Sequence, residues 1–353
     1  MSELLLSRAP FRISFGGGGT DVPPYCWEHG GAVVSLTINR YAYAVLRGLE
    51  ERKMVLRSLD LGLTWSSGLG RAEYDGKLEL LKAVVNEFSP GRGFELTTYS
   101  DLPASSGMGT SSSLTVALIG CLAEFTGRKM GPGEMAELAY RLEREELGQE
   151  GGYQDQYAAA FGGLNFMEFG REGVRVTPLR LPSGTLEALL DRLLLFSTGE
   201  MFFPEEAREL AASRRAERRR GIHSEMRKKM DSEEVSRFHR LKEIAVRMRD
   251  ALLSGDLEGF GDLLHLAWEE KKAVSGRITN PEVEALYELA RRRGARGGKL
   301  LGAGAVGCLL VFCEPERRQE VVEALSELGA RPIPFLFEPR GVRVWRYEGS
   351  GKD

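Results

Sequence analysis

Between Pro103 and Ser113 the chain reads Pro-Ala-Ser-Ser-Gly-Met-Gly-Thr-Ser-Ser-Ser, a pattern suited to holding an anion. Gly107 and Gly109 permit a tight turn, and Thr110, Ser111, Ser112 and Ser113 follow it with hydroxyl groups. Directly after come Leu114, Ala117, Leu118, Cys121, Leu122 and Phe125 at helical spacing. A glycine turn that opens a buried helix aims several N–H groups, and the positive end of the helix dipole, at one point. The chemistry this predicts is phosphate binding. Pro103, Ser105, Ser106, Gly107, Met108 and Gly109 would form the loop, and Thr110 to Ser113 would add donors. One of these hydroxyls could also ligate Mg2+. No Gly-Lys-Ser/Thr follows, so the segment is not a Walker A loop, and its glycine spacing is not that of a dinucleotide-binding turn. Capping preferences alone also favour serines before a core helix.

Three further segments could supply the other half of such a site. From Arg8 to Asp21 a strand pattern breaks into Gly16, Gly17, Gly18 and Gly19, followed by Thr20 and Asp21. Four glycines in a row cost much conformational entropy but let backbone approach a ligand closely. Thr20 and Asp21 suit the hydroxyls of a polyol, and Arg12 could project into the same site; a flexible turn is the competing account. In Gly151-Gly-Tyr-Gln-Asp-Gln-Tyr157, Asp155 stands between two glutamines. A buried aspartate beside a cation stays ionised and can take a proton from a hydroxyl, although a helix cap reads the same way. The third segment, Gly297 to Gly307, is glycine-rich and precedes an apolar strand, as a ligand-lining loop or a crowded backbone contact would.

Glu143 lies beside the apolar stripe Met135, Leu138, Ala139 and Leu142 rather than opposite it. A carboxylate on that edge needs a cation. Mg2+ would fit, since it takes one or two protein oxygens plus substrate phosphates; Arg144 next door offers a plain salt bridge instead.

The elements that must position these residues alternate. Strands are predicted at Val33 to Ile38, Tyr41 to Arg47, Met54 to Ser58 and Phe94 to Tyr99, then helices from about Ser111 and from Glu134 to Leu147. A hairpin at Leu164 to Phe169 and Val174 to Leu179 turns through Gly170 to Gly173, and Leu193 to Ser197 forms another strand. The second half is mainly helical to Arg293, with Asn280-Pro281 as a helix start and Gly294 as a stop. A strand at Cys308 to Phe312, a helix at Arg317 to Leu328 and strands at Ile333 to Phe337 and Val342 to Trp345 complete an α+β pattern, divided near residues 180 to 200.

With 353 residues, 42% hydrophobic and 28% charged, the composition is that of a globular protein. A net charge of −3 argues against coating nucleic acid, and Arg214 to Arg220 reads as a solvated helix face among acidic residues. No apolar run reaches a membrane span and Met1-Ser-Glu3 is no signal peptide, so no membrane partner and a cytoplasmic location are expected. Cys26, Cys121, Cys308 and Cys313 lack metal spacing and read as buried thiols.

Taken together, Arg8–Asp21, Pro103–Ser113, Gly151–Tyr157 and Gly297–Gly307 resemble, in order and separation, the GHMP family of small-molecule kinases over nearly the whole chain. The resemblance implies a two-domain α+β fold: residues 1–185 like the second domain of ribosomal protein S5, and residues 186–353 a ferredoxin-like α/β sandwich. It implies ATP and Mg2+ as cofactors and a sugar as substrate, with a homodimer as the candidate assembly. Phe15–Asp21, His29–Val33, Thr37–Tyr41 and Gln154–Gly163 are most similar to the sugar 1-kinases of the family. The activity implied is transfer of the ATP γ-phosphoryl group to the C1 hydroxyl of D-glycero-D-manno-heptose 7-phosphate, feeding nucleotide-activated heptose synthesis. Other sugar 1-kinase activities, fucose or galactose among them, share much of this pattern, and some members of the family are non-catalytic sensors.

By the same resemblance Asp155 is the catalytic aspartate and Arg12 its supporting cation. Ser111 and Glu143, the latter twelve positions before Asp155, are the Mg2+ ligands. Gly16 to Asp21, Gly152, Tyr153, Gln154, Gly302 and Gly304 line the substrate. Ala305-Val306 departs from the glycines usual in the family there, and Arg40, Lys271 and Lys272 are candidates for a phosphate on the substrate itself.

Overall fold

The structure, a computed structural model, describes residues 3–103, 106–198, 217, 220–230, 235–302, 304 and 307–347. In chain order its elements begin with β1 (Leu4–Gly16), α1 (Tyr25–His29), β2 (Gly31–Gly48), β3 (Lys53–Ser58), β4 (Leu63–Gly68), α2 (Glu79–Phe88) and β5 (Phe94–Ser100). Next come α3 (Thr110–Thr126), α4 (Pro132–Tyr140), α5 (Gln154–Phe161), β6 (Leu164–Gly170), β7 (Gly173–Pro178), α6 (Thr185–Arg192) and β8 (Leu193–Ser197). The remainder is α7 (Ser236–Ser254), α8 (Leu257–Val274), α9 (Pro281–Arg292), β9 (Ala295–Leu300), β10 (Cys308–Cys313), α10 (Arg318–Glu327), β11 (Arg331–Pro332) and β12 (Arg343–Tyr347).

Two sheets carry the molecule. The larger has eight strands in the order β12-β1-β2-β5-β3-β4, with β6 and β7 branching from β2; the smaller is β11-β8-β10-β9. The division expected at residue 185 falls at the first residue of α6, and the last strand returns to the larger sheet, where β12 pairs with β1. Phe11, Ile13 and Phe15 alternate along β1 and are fully buried in a core shared with α7 and α8. Alternation sends Arg12 and Ser14 to the opposite face, and both are buried as well. This half of β1 is therefore covered on both sides.

β2 is one strand where the sequence predicts two. The expected break is a register shift: Pro10 pairs with Tyr41 but Phe11 with Ile38, which leaves Asn39 and Arg40 bulged. There β2 changes partner, from β6 over residues 31–36 to β5 over residues 42–48. The strand predicted at Ile333 to Phe337 is reduced to a single bridge from Phe337 to Ile38, because Pro332 and Pro334 cannot donate to a ladder. β4, α2, α5, α6 and β9 go beyond the predicted elements. β9 runs through the segment read as a glycine loop. Gly297 belongs there because a side-chain carbon would meet the Gly261 carbonyl of α8 at 2.1 Å. That contact seats Lys299 of β9 beside α8.

Of the 17 residues of α3, 13 are buried, so its first turn has one fixed position against β1 and β2. All four cysteines are buried free thiols. Of Arg214 to Arg220 only residues 217 and 220 are described, both exposed.

Candidate active site

Gly107 and Gly109 both have positive φ, 78° and 76°, and Gly109 is the residue before α3. The N–H groups of Thr110, Ser111 and Ser112 open the helix, where no intrahelical acceptor exists for them. Only Gly fits at 107: a side-chain carbon would meet the Leu301 carbonyl at 2.4 Å. Met108 contributes backbone alone, since its side chain is core and its carbonyl accepts from the Arg12 N–H at 3.1 Å. Ser106 is buried, with a hydroxyl that has no partner among the described residues. Pro103 offers only its carbonyl, which accepts from the Ser106 N–H at 3.3 Å. Ser113 is turned away from the expected role. Its hydroxyl donates to the Pro10 carbonyl at 2.8 Å and its N–H to the Gly109 carbonyl at 2.9 Å, so both donors are used. Ser105 lies outside the described residues.

Arg12 joins this loop to Asp155. Its Nε and Nη2 lie 2.8 and 2.6 Å from Asp155 Oδ1, and its Nη1 donates to the Gly107 carbonyl at 2.6 Å. Asp155 sits in the first turn of α5, and a side-chain carbon on Gly109 would come within 3.3 Å of its carboxyl carbon. Aspartate, guanidinium and glycine turn are thus in mutual contact. The Arg12 side chain is 5% exposed and that of Asp155 18%, so the pair is screened little.

Glu143 is fully buried and reaches the same helix start. The predicted helix from Glu134 to Leu147 is α4 continued by a π-helical turn, Arg141–Glu146, that carries Glu143. Such turns re-aim side chains at functional sites. Here Ser111 and Ser112 each donate a hydroxyl to Glu143 at 2.8 Å, and Gln156 Nε2 donates at 2.5 Å. The alternative partner Arg144 stands further off, at 3.8 Å.

Around Gly16 to Asp21, several of the residues expected to line a substrate are engaged by the chain itself. Thr20 is fully buried and its hydroxyl is spent on the chain itself, donating to the Gly17 and Ala32 carbonyls and accepting from the Ala32 N–H. Gly17 is glycine because a side-chain carbon would meet the Ala32 carbonyl at 1.8 Å, and Gly16 and Gly19 face Met248 and Met226. Gly18 alone has room, with Gln154 Nε2 and Ser14 Oγ each 3.7 Å from where a side-chain carbon would stand. The Tyr153 ring stacks on Tyr140 at 3.7 Å, which makes it a packing residue. Gly152 lies against Asp21, Gly304 against Ile278 and Gly302 against Gly107 of the phosphate loop. Ala305 and Val306 lie outside the described residues.

Asp21 accepts from the Gly19 N–H and from the Gln154 N–H and side-chain amide, each at 3.1 Å. Burial raises its carboxyl above the usual range and the Asp155 charge adds to this, against the backbone donors. Asp21→Asn should cost about 1–3 kcal/mol, because the new amide must face an N–H donor. A lowered thermal midpoint and a raised sugar KM, with ATP KM unchanged, are expected. An unaltered midpoint would show that Asp21 does not hold the loop.

Of the basic residues considered for a substrate phosphate, Arg40 donates to the Pro334 carbonyl and Lys272 pairs with Glu269 and Glu284. Lys271 is buried and donates to the Gly302 carbonyl. Lys299, Ser14 and the bond from Gln156 to Glu143 lie outside the residues that the motifs single out; a lone lysine before Leu300-Leu301 is the signal the sequence offers. A separate cavity of about 510 Å3, bounded by Phe161, Asn165, Leu179, Glu187 and Phe337, contains none of these residues.

The fold and this site define a small-molecule kinase. The chain belongs to the GHMP kinase family: its N terminal domain matches over residues 78–163 and its C terminal over 248–331. It is a homologue, 35% identical over 98% of this chain and 99% of the relative, of a D-glycero-alpha-D-manno-heptose 7-phosphate kinase from Campylobacter jejuni. A crystal structure of a D-glycero-D-manno-heptose 1-phosphate kinase from Bacteriodes thetaiotaomicron superimposes with a TM-score of 0.80, at 31% identity, covering 98% of this chain and 100% of that one. An L-fucokinase/L-fucose-1-P guanylyltransferase of Bacteroides fragilis is 28% identical over 98% of this chain but only 39% of its own length.

Proposed function

We propose that the protein transfers the γ-phosphoryl group of ATP to the C1 hydroxyl of D-glycero-D-manno-heptose 7-phosphate, giving the 1,7-bisphosphate for nucleotide-activated heptose synthesis in the cytoplasm. The observation that carries the transfer is Arg12, which bonds Asp155 and the phosphate loop with one guanidinium. Asp155 takes the proton from the C1 hydroxyl as that oxygen attacks phosphorus, and Arg12 aims the carboxylate through two contacts to Oδ1. Loop N–H groups and the start of α3 hold the ATP phosphates. For the sugar, Gln154 Oε1 and Ser14 Oγ are buried acceptors without partners among the described residues, on two side chains that adjoin Gly18. Such atoms call for hydroxyl donors.

The donor set fits Mg2+. The Ser111 hydroxyl and the Glu143 carboxylate are oxygen ligands already 2.8 Å apart, and a site of this kind is completed by substrate phosphates. Bound there, Mg2+ would neutralise phosphate charge during transfer. Ser111 and Glu143 would hold it, while Ser112 and Gln156 fix the carboxylate from its other oxygen.

The substrate assignment is tested by ATP consumption with heptose 7-phosphate, unphosphorylated heptose, L-fucose and galactose. The highest kcat/KM is expected on heptose 7-phosphate, with product phosphorus at C1 by 31P NMR. Higher kcat/KM on fucose or galactose would move the assignment to that sugar.

A further inference from the structure

Two lysines are buried close to these residues, and the roles given above use neither. Lys271 on α8 is 7% exposed and Lys299 on β9 is 2% exposed. An ammonium carries three donors. Lys271 gives one to the Gly302 carbonyl, and Lys299 gives one to the Phe15 carbonyl at 3.0 Å. Neither forms an ion pair with a described carboxylate, in contrast to Arg12 with Asp155. A buried ammonium in that condition is costly until an anion completes its shell.

The two differ in what surrounds them. Lys299 is tied to the end of β1, whereas Lys271 holds the residue pressed on the phosphate loop. A side-chain carbon at Gly302 would lie 2.5 Å from the Gly107 Cα, and the Gly107 carbonyl receives Arg12. The charges of Arg12, Asp21 and Asp155 all act on Lys271. Through Gly302 its ammonium is therefore set against the Gly107 turn, within the field of Arg12, Asp21 and Asp155.

We propose that Lys271 is a further catalytic residue, whose ammonium contacts an oxygen of the phosphoryl group as it passes to the sugar. This rests on the kinase reading above. The phosphate that the sugar already carries is a second source of the same anion. The Gly302–Gly107 contact favours the transferred group, since it ties Lys271 to the loop that holds ATP. Burial pushes the ammonium down to about 8, with Arg12 adding to the push and Asp21 and Asp155 opposing it; Lys299 faces it from β9. The protonated form is the active one, so kcat/KM should fall as pH rises through about 8.

Lys271→Met and Lys271→Arg in the full chain, assayed with ATP and heptose 7-phosphate, test this. The Met variant is expected to lose roughly 100-fold in kcat, the cost of one donor at a developing charge, with both KM values nearly unchanged. The Arg variant should recover part of that loss and lack the fall in kcat/KM near pH 8. An unchanged kcat, or a loss confined to the sugar-phosphate KM, would overturn the proposal. Should the Met variant not fold, persistence of the alkaline fall in the Arg variant has the same force. If wild type prefers another sugar, the substrate assignment falls and the same comparison is made on that sugar.

Discussion

Asp155→Asn is expected to reduce kcat about 10³-fold, within the range for a positioned general base, while nucleotide affinity changes by less than threefold. The substitution is gentle on geometry. Both Arg12 contacts fall on Oδ1, and an asparagine can keep its carbonyl oxygen there. The amide nitrogen then occupies the other position and takes no proton. The Arg12 bond to the Gly107 carbonyl persists, so the phosphate loop keeps its shape. Loss in kcat without loss in ATP binding is thus the signature of a proton acceptor rather than a loop anchor. Turnover is read by coupled assay, and affinity by titration with a fluorescent ATP analogue. Turnover within tenfold of wild type would remove Asp155 as the base. Equal losses in turnover and ATP affinity would make it part of the nucleotide cradle.

The glycine-turn half of this candidate site was legible because its residues sit in short motifs whose spacing mirrors the geometry. Gly107 and Gly109 adopt the positive φ that a tight turn before a helix demands, and the apolar spacing after Leu114 is that of the buried helix they open. The sugar half was legible as a segment but not as contacts. Thr20 and Gly17 looked like ligand groups, yet both serve the loop's own backbone, because a hydroxyl binds a nearby carbonyl as readily as a sugar. A glycine run does not say which position is crowded by its own chain and which is open. β9 was hidden for a related reason: Gly297 and Gly298 read as loop but are small because the first meets α8 and the second lies against β10 and the Tyr287 ring. The positions of Lys271 and Lys299 depend on that packing, which joins α8, β9 and β1 across long stretches of chain. The eight-residue α5 was missed because two glycines and a run of polar residues precede its short apolar end.

Glu143→Gln is the second large effect expected, and it separates a metal ligand from a structural carboxylate. As a structural group Glu143 satisfies Ser111, Ser112 and Gln156. An amide can replace part of this, since either serine hydroxyl can rotate to accept from it. Turned toward Ser111, the amide leaves the oxygen facing Ser112 and Gln156 in place. The stability cost should then be small beside the 1–3 kcal/mol of an unsatisfied buried group. The negative charge, however, is gone. If Glu143 and Ser111 hold Mg2+, the concentration needed for half-maximal rate at saturating ATP should rise at least tenfold. The maximal rate should fall about 10–100-fold, the scale of lesions in metal surroundings. Ser111→Ala should raise the Mg2+ requirement less, because a neutral hydroxyl contributes less than a carboxylate. Since the two residues would share one ion, their losses should not multiply in the double variant. A Mg2+ titration of the three variants beside wild type, with thermal midpoints recorded, decides between the roles. Wild-type Mg2+ dependence with lowered midpoints would leave Glu143 as the clamp on α3 alone.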